Sequence, residues 1–191
     1  MGVIFQSLGR TIAAGFVITA ILFALFGNGM SHQWGVFSLK WLHVLSGTLW
    51  VGLLYYFNFV QIPSMAKIPD EQKPAIGKVI APTALFYFRW AALATVVTGL
   101  LVAAANLYLA KALTLQQPFL AIGIGMWLAL IMAFNVWFII WPNQKKALGI
   151  VVVEAAEKAK AARMAMLTSR FNTMLSIPML YMMVAQQNGG L

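Results

Sequence analysis

Apolar residues run in long stretches along the chain, and sparse charged residues punctuate them. No Asp, Glu, Lys or Arg lies between Arg10 and Lys40, between Lys40 and Lys67, between Arg89 and Lys111, between Lys111 and Lys145, or after Arg170. Each gap is long enough for one helix across about 30 Å of hydrocarbon. The pattern predicts membrane helices near 10–27, 37–62, 83–109, 118–141 and 170–186. The last is short and carries Pro178, which predicts a kink or a tilt. The first has the position of a secretion signal. Its length and the lack of a small-residue cleavage motif predict a retained span.

Prolines mark the expected boundaries. Pro63, Pro69 and Pro74 break up the second connection, Pro82 precedes the third helix, Pro118 opens the fourth and Pro142 ends it. The segment 145–169 reads differently, being rich in Ala, Lys and Glu. Glu154 and Lys158 have the spacing that supports a helix. Leu148, Val152, Ala155, Ala159, Ala162 and Met166 form a weakly apolar stripe, which predicts an amphipathic arm on or beside the membrane surface. No repeat or low-complexity segment divides the chain, so residues 1–191 are expected to form a single membrane domain. The fold class expected is all-α: a polytopic membrane protein with about five transmembrane helices and one amphipathic cytoplasmic helix.

Composition narrows the function classes. The chain has 191 residues, 62% of them apolar and only 9% charged, with a mean hydropathy of +0.84. So few charges cannot cover a water-soluble surface, where about a quarter of residues are usually charged. An ordinary soluble enzyme and a disordered tail are excluded. A nucleic-acid binder is not expected either, despite the net charge of +9, because the basic residues line short loops. With no cysteine, disulfides, thiolate metal sites and cysteine nucleophiles are excluded.

The basic residues also set an orientation. Arg10, Lys67, Lys73, Lys78, Lys145, Lys146, Lys158, Lys160, Arg163 and Arg170 fall on one side of five spans, and only Lys40 and Lys111 on the other. The positive-inside rule places the N-terminus in the cytoplasm and the C-terminus outside a bacterial inner membrane. All four acids also lie on the basic side.

Candidate chemistry rests on the few polar groups at membrane depth, since an ionisable residue there is costly and usually partnered. His43, Gly47, Trp50, Leu54, Asn58 and Gln61 recur at helical spacing and share a face. A neutral imidazole is a good axial ligand for haem iron, and Gly47 admits a flat group or a neighbouring helix. The alternative is a histidine hydrogen-bonded across helices. His32 is the only other histidine and falls in the outer loop. It, a methionine or a group from another chain would complete a six-coordinate haem. Arg89 lies within the third helix, at a depth similar to that of Asn58 and Asn135. These three are expected to gather into a polar cluster that contacts an anion such as a haem propionate. The alternative for Arg89 is snorkelling to the interface.

Copper is a weaker candidate. Met30 with His32, and Met174, Met179, Met182 and Met183, supply soft ligands, though methionine is also common packing material. Trp34, Trp41, Trp90, Trp137 and Trp141 read as interfacial belts. Within the spans no acid completes a serine–histidine–acid set, and Gly123-Ile124-Gly125 lacks the context of a dinucleotide fingerprint.

The run Leu42-His43-Val44-Leu45-Ser46-Gly47-Thr48-Leu49-Trp50-Val51-Gly52 resembles the membrane domain of cytochrome c-linked urate oxidases, also called urate hydroxylases. The runs Tyr55-Tyr56-Phe57-Asn58-Phe59-Val60-Gln61 and Asn135-Val136-Trp137-Phe138-Ile139-Ile140-Trp141-Pro142-Asn143-Gln144-Lys145-Lys146 are similar to that family too. The looser pattern of Leu-His followed by Gly and Trp-x-Gly also resembles copper-resistance D proteins and haem-binding protoporphyrinogen oxidases. The likeness spans about residues 35–185. It implies a membrane redox protein in which urate is oxidised and electrons pass to a cytochrome c. Here no Cys-x-x-Cys-His is present, so a covalent haem c would belong to a partner.

The expectation is therefore a haem b-associated oxidoreductase of urate hydroxylase type that hands electrons to a cytochrome c. Its cofactor-binding residues would be His43, Gly47, Trp50, Arg89, Asn58 and Asn135, with His43 and His32 as candidate iron ligands. One alternative is a non-catalytic accessory subunit of a larger membrane oxidase or oxygenase complex. Another is a copper or small-solute carrier.

Overall fold

In the computed structural model, residues 2–27 and 29–189 are described. Helix accounts for 84% of the chain, and no strand occurs among the described residues. The helices are α1 (Gly2–Phe5), α2 (Leu8–Phe26), α3 (His32–Met65), α4 (Lys73–Ala105), α5 (Leu109–Leu113), α6 (Leu120–Ala147) and α7 (Ala155–Asn188). Four of them, α2, α3, α4 and α6, are long and apolar enough to cross a membrane. The chain forms two compact units, one through Ser38 and one from Leu39 to Leu191.

In the N-terminal unit, α2 buries none of its residues. Phe23 packs on Trp34 with ring centroids 5.0 Å apart. Leu25, Val17 and Ile18 all face outward, as lipid-facing positions do.

The helices of the C-terminal unit run through prolines that were expected to stop them. Pro63, Pro82 and Pro142 each stand two residues after the end of a π-helical segment, at Tyr56–Gln61, Ile76–Ile80 and Asn135–Ile140 respectively. A proline ring collides with the carbonyl of the residue four before it. Those residues, Phe59, Lys78 and Phe138, lie inside the widened turns, where bonding shifts from i+4 to i+5 and the clash is relieved. As a result α3 continues to Met65, α4 begins at Lys73 rather than near 83, and α6 passes Pro142 to reach Ala147.

The segment expected as a separate arm over 145–169 is divided. Lys145, Lys146 and Ala147 end α6, residues 148–154 are not helical, and residue 155 opens α7, which continues unbroken through Pro178 to Asn188. The buried face of α7 is also not the expected stripe. It is Ala161, Ala165, Ser169, Asn172, Ser176 and Met179, a seam of mostly small or polar residues with Ala155, Ala159 and Ala162 exposed.

α7 packs antiparallel to α6 along its whole length. Gln186 accepts a hydrogen bond from Ile122 N–H at 3.1 Å and donates to the Pro118 carbonyl at 3.0 Å, closing one end. At the other end Lys146 Nζ is 2.5 Å from Glu157 Oε1. Between them, a Cβ added to Gly125 would come within 3.3 Å of Met182 Cβ, so that glycine lets the two helices approach.

The core lies where α3, α4, α6 and α7 meet. Trp50, Leu54, Phe88, Ala92, Met132 and Val136 are its most buried members, with Phe57 set edge-on to Phe88 at 5.5 Å. The polar residues Asn172 and Ser176 are fully buried as well, whereas Phe138 is 68% and Ile177 66% exposed. An apolar exterior over a core that also holds polar residues suits helices whose outer faces meet lipid.

Candidate functional site

His43 reaches from α3 to α4. Its Nδ1 lies 2.9 Å from the Thr95 carbonyl oxygen and 3.3 Å from Thr98 Oγ1. A carbonyl only accepts, so Nδ1 carries a proton, and in the neutral ring Nε2 keeps its lone pair. The α4 wall is itself held in place: Thr95 Oγ1 donates to the Ala91 carbonyl at 2.7 Å and Thr98 Oγ1 to the Ala94 carbonyl at 2.6 Å. Small residues make the approach possible. A Cβ on Gly99 would fall 2.9 Å from His43 Cε1, and one on Gly47 would lie 3.6 Å from Thr95 Cγ2. The pairs His43–Gly99 and Gly47–Thr95 fix α3 and α4 as antiparallel neighbours.

This junction opens into a cleft of about 500 Å³ between α3, α4, α6 and α7. His43, Gly47, Trp50 and Tyr55 line it from α3, and Thr95 and Gly99 from α4. Met126 on α6 and Met179 and Met183 on α7 bring three thioethers to the same space. The walls are otherwise apolar. Trp50 is fully buried, and its indole N–H has no acceptor among the described residues.

The sequence-derived candidates fall into separate groups. His43, Gly47 and Trp50 share the cleft. Asn58 and Asn135 do not line it and instead tie π-helical segments to α7. Asn58 Nδ2 donates to Ser169 Oγ at 2.8 Å and to the Leu54 carbonyl at 2.9 Å. Asn135 Nδ2 donates to Asn172 Oδ1 at 2.8 Å, and Asn172 Nδ2 donates to the Met132 carbonyl at 2.9 Å. Tyr55 links the cleft to α7 through its hydroxyl, 3.0 Å from Ser176 Oγ.

Arg89 does not join the asparagines. Its guanidinium carbon lies 3.3 Å from the centroid of Trp141 and 5.9 Å from that of Trp137. Its Nε and Nη1 have no hydrogen-bond partner among the described residues. Leu54 and Gln61, the other members of the helical stripe, are fully and partly buried, and Gln61 Oε1 also has no partner among the described residues.

His32 is the first residue of α3, exposed, in the N-terminal unit, and is not among the residues that line the cleft. Met30 is 83% exposed. No group of three or more His, Cys, Asp or Glu side chains that could hold a metal ion occurs among the described residues.

Thr95, Thr98, Gly99 and the α7 residues Ser169, Asn172 and Ser176 were not singled out from sequence. The signal lay in their spacing: Thr95 and Gly99 stand one turn apart, and Ser169, Asn172 and Ser176 repeat every three to four residues.

No curated protein and no solved structure matches the chain. A family model does match, that of the urate oxidase N-terminal family, over residues 89–189. The matched stretch holds α6, α7, most of α4 and the block Asn135–Lys146, and leaves His43 and the rest of α3 outside it. Covering more than half of the chain, it includes the α4, α6 and α7 residues that line the cleft, and the protein belongs to the urate oxidase N-terminal family.

Proposed function

We propose that this protein is a membrane redox domain of urate oxidase type, in which His43 ligates a haem b seated in the α3–α4–α6–α7 cleft. Electrons would leave to a cytochrome c on the outer side of a bacterial inner membrane. The observation that carries the reading is the bond between His43 Nδ1–H and the Thr95 carbonyl, which leaves Nε2 as the free nitrogen of a residue lining the cleft. Metal-bound imidazoles almost always give their other N–H to a carbonyl or carboxylate in this way.

The residues present fit such a group. A volume of about 500 Å³ lies within the range of cofactor and ligand sites. Gly47 and Gly99 keep the space beside the imidazole free of side chains. Met126, Met179 and Met183 line the same cleft and would hold the group with polarisable thioethers. Trp50 offers an unpaired indole N–H to an acceptor on the bound group. When bound, the haem supplies one-electron chemistry. The chain's own contribution is to fix the imidazole tautomer, exclude water with apolar walls and hold the four helices in register through the Asn58, Asn135 and Tyr55 links to α7.

The orientation that fits the basic residues has the N-terminus in the cytoplasm. In it α7 is a fifth crossing, because it lies antiparallel to α6 from Glu157 beside Lys146 to Gln186 beside Ile122.

The test is a reduced-minus-oxidised visible spectrum of gently purified protein, repeated with His43→Ala. Haem bands in the wild type that disappear in the variant are expected. A colourless protein that co-purifies in fixed ratio with large subunits would overturn the reading in favour of an accessory subunit.

A further inference from the structure

The guanidinium of Arg89 is held in a place the cleft chemistry does not use. Its face stacks on Trp141 at 3.3 Å, and its Nε and Nη1 are shielded from solvent with no partner among the described residues. Lys145 Nζ lies over the same indole ring, 5.7 Å from its centroid. Two cations thus share one ring. The ion pairs among the described residues join Lys73 to Asp70 and Lys146 to Glu157, so neither engages Arg89 or Lys145. Shielded N–H donors on a cation are unfavourable unless an anion or another acceptor meets them. Nε and Nη1 lie on different edges of the guanidinium, so each is a separate charged N–H donor for an oxyanion. A tetrahedral oxyanion has oxygens left over for a second cation, here Lys145.

The surroundings are apolar and face outward. Trp90 packs edge-on to Trp137 at 5.6 Å and is 49% exposed, Phe86 beside it is 51% exposed, and Phe138 is 68% exposed. These rings would flank acyl chains below a bound headgroup. Trp141 and Lys145 lie in the last turns of α6, whose end also carries Lys146.

We propose that Arg89, Trp141 and Lys145 form a binding site for a phosphate group, supplied by an anionic phospholipid headgroup or by soluble phosphate. The test uses the purified, delipidated full chain in detergent, with short-chain phosphatidylglycerol, diacylglycerol of the same chain length and inorganic phosphate as probes. Native mass spectrometry counts bound molecules, and titration gives affinities. Wild type should hold one phosphatidylglycerol in preference to diacylglycerol. Arg89→Gln should weaken that binding about tenfold or more, since it removes the charge and its charged N–H donors. Arg89→Lys should fall between the two, and Lys145→Gln should weaken binding several-fold. Lys111→Gln, at the opposite ends of the helices, should change nothing. Displacement of the lipid by inorganic phosphate assigns a soluble source, and retention of the lipid in excess phosphate assigns the headgroup. Equal binding of diacylglycerol and phosphatidylglycerol, or wild-type affinity in both Arg89→Gln and Lys145→Gln, would overturn the proposal. If Arg89→Gln fails to fold, Lys145→Gln, at the end of α6, decides it.

Discussion

His43 and Thr95 are joined across two helices by a hydrogen bond from Nδ1–H to the backbone carbonyl at 2.9 Å. In an α-helix that carbonyl also accepts from the helix's own N–H, so His43 uses its second lone pair and leaves the α4 ladder intact. The bond selects one tautomer and orients the ring without a carboxylate. That matters in a chain whose few acids all lie outside the four membrane helices. The ring is thereby pre-aimed, and in its neutral form it offers Nε2 to iron.

Gly99 sets how close the two helices come. A Cβ there would meet His43 Cε1 at 2.9 Å and Nδ1 at 3.1 Å, closer than real Cβ contacts run. Gly99→Val is expected to push the ring off the Thr95 carbonyl and to lower haem retention about tenfold, one unit of RT ln 10 being a modest demand on a lost and misaligned ligand. Gly35→Ala, where an added Cβ meets nothing within 4 Å, should leave the spectrum as it is. Absorbance at the Soret band per mole of purified chain measures both.

Asn172 is the buried link between α6 and α7, fully shielded and bonded to Asn135 and to the Met132 carbonyl. Asn172→Ala leaves the buried Asn135 side-chain N–H group unpaired, while the Met132 carbonyl keeps the Asn135 backbone N–H, and should cost about 1–3 kcal/mol of stability. A double-mutant cycle with Asn135→Ala should give a coupling of about 0.5–2 kcal/mol, the range of interhelical hydrogen bonds within membranes. Steric-trap unfolding in bilayer discs supplies the energies. Additive effects of the two changes would show that the Asn135–Asn172 bond does not contribute.

The membrane class was legible because charge gaps of helical length have one physical reading in a chain this apolar. Helix boundaries were less legible for a specific reason. Pro63 and Pro142 read as stops under the rule that proline ends a helix, and nothing local announces that a π-turn will widen around them. The same distinction separates the site residues. His43, Gly47 and Trp50 lie on one helix, so spacing alone placed them on a common face. Arg89, Asn58 and Asn135 lie on three helices, and equal depth along each axis says nothing about which sides face one another. The rotation that sends Arg89 to Trp141, and both asparagines to α7, is set by tertiary packing. α7 itself was obscured because its seam is polar: Ser169, Asn172 and Ser176 lower its hydropathy although they point inward.

Pro142 provides a test of the π-segments. Without its ring, the turn Asn135–Ile140 no longer needs to widen around the Phe138 carbonyl. Pro142→Ala is expected to let this turn relax toward α-helix. Loss of one residue from a wide turn rotates the downstream part of the helix by about 100°, which would take Trp141 off Arg89. Tryptophan fluorescence and hydrogen exchange of residues 135–147 should both change, while Pro118→Ala, outside α6, should leave them unaltered.

The absence of cysteine makes the path of α7 directly measurable. Single cysteines introduced into the wild-type chain carry no background, and a membrane-impermeant maleimide labels only those on its own side. Lys158 lies one turn from the Glu154 cap at the start of α7, and Asn188 is its last residue. At 1.5 Å per residue a helix of this length exceeds the roughly 30 Å of hydrocarbon. Its polar seam is covered by α6 and α3, so the low hydropathy of residues 169–176 is no barrier to crossing. Lys158→Cys should therefore label from the same side as a cysteine at Lys67, in the loop between α3 and α4, and Asn188→Cys from the opposite side. In inverted vesicles the two patterns should exchange. Labelling of both positions from one side would mean that α7 does not cross, and would remove the fifth span together with the outward C-terminus.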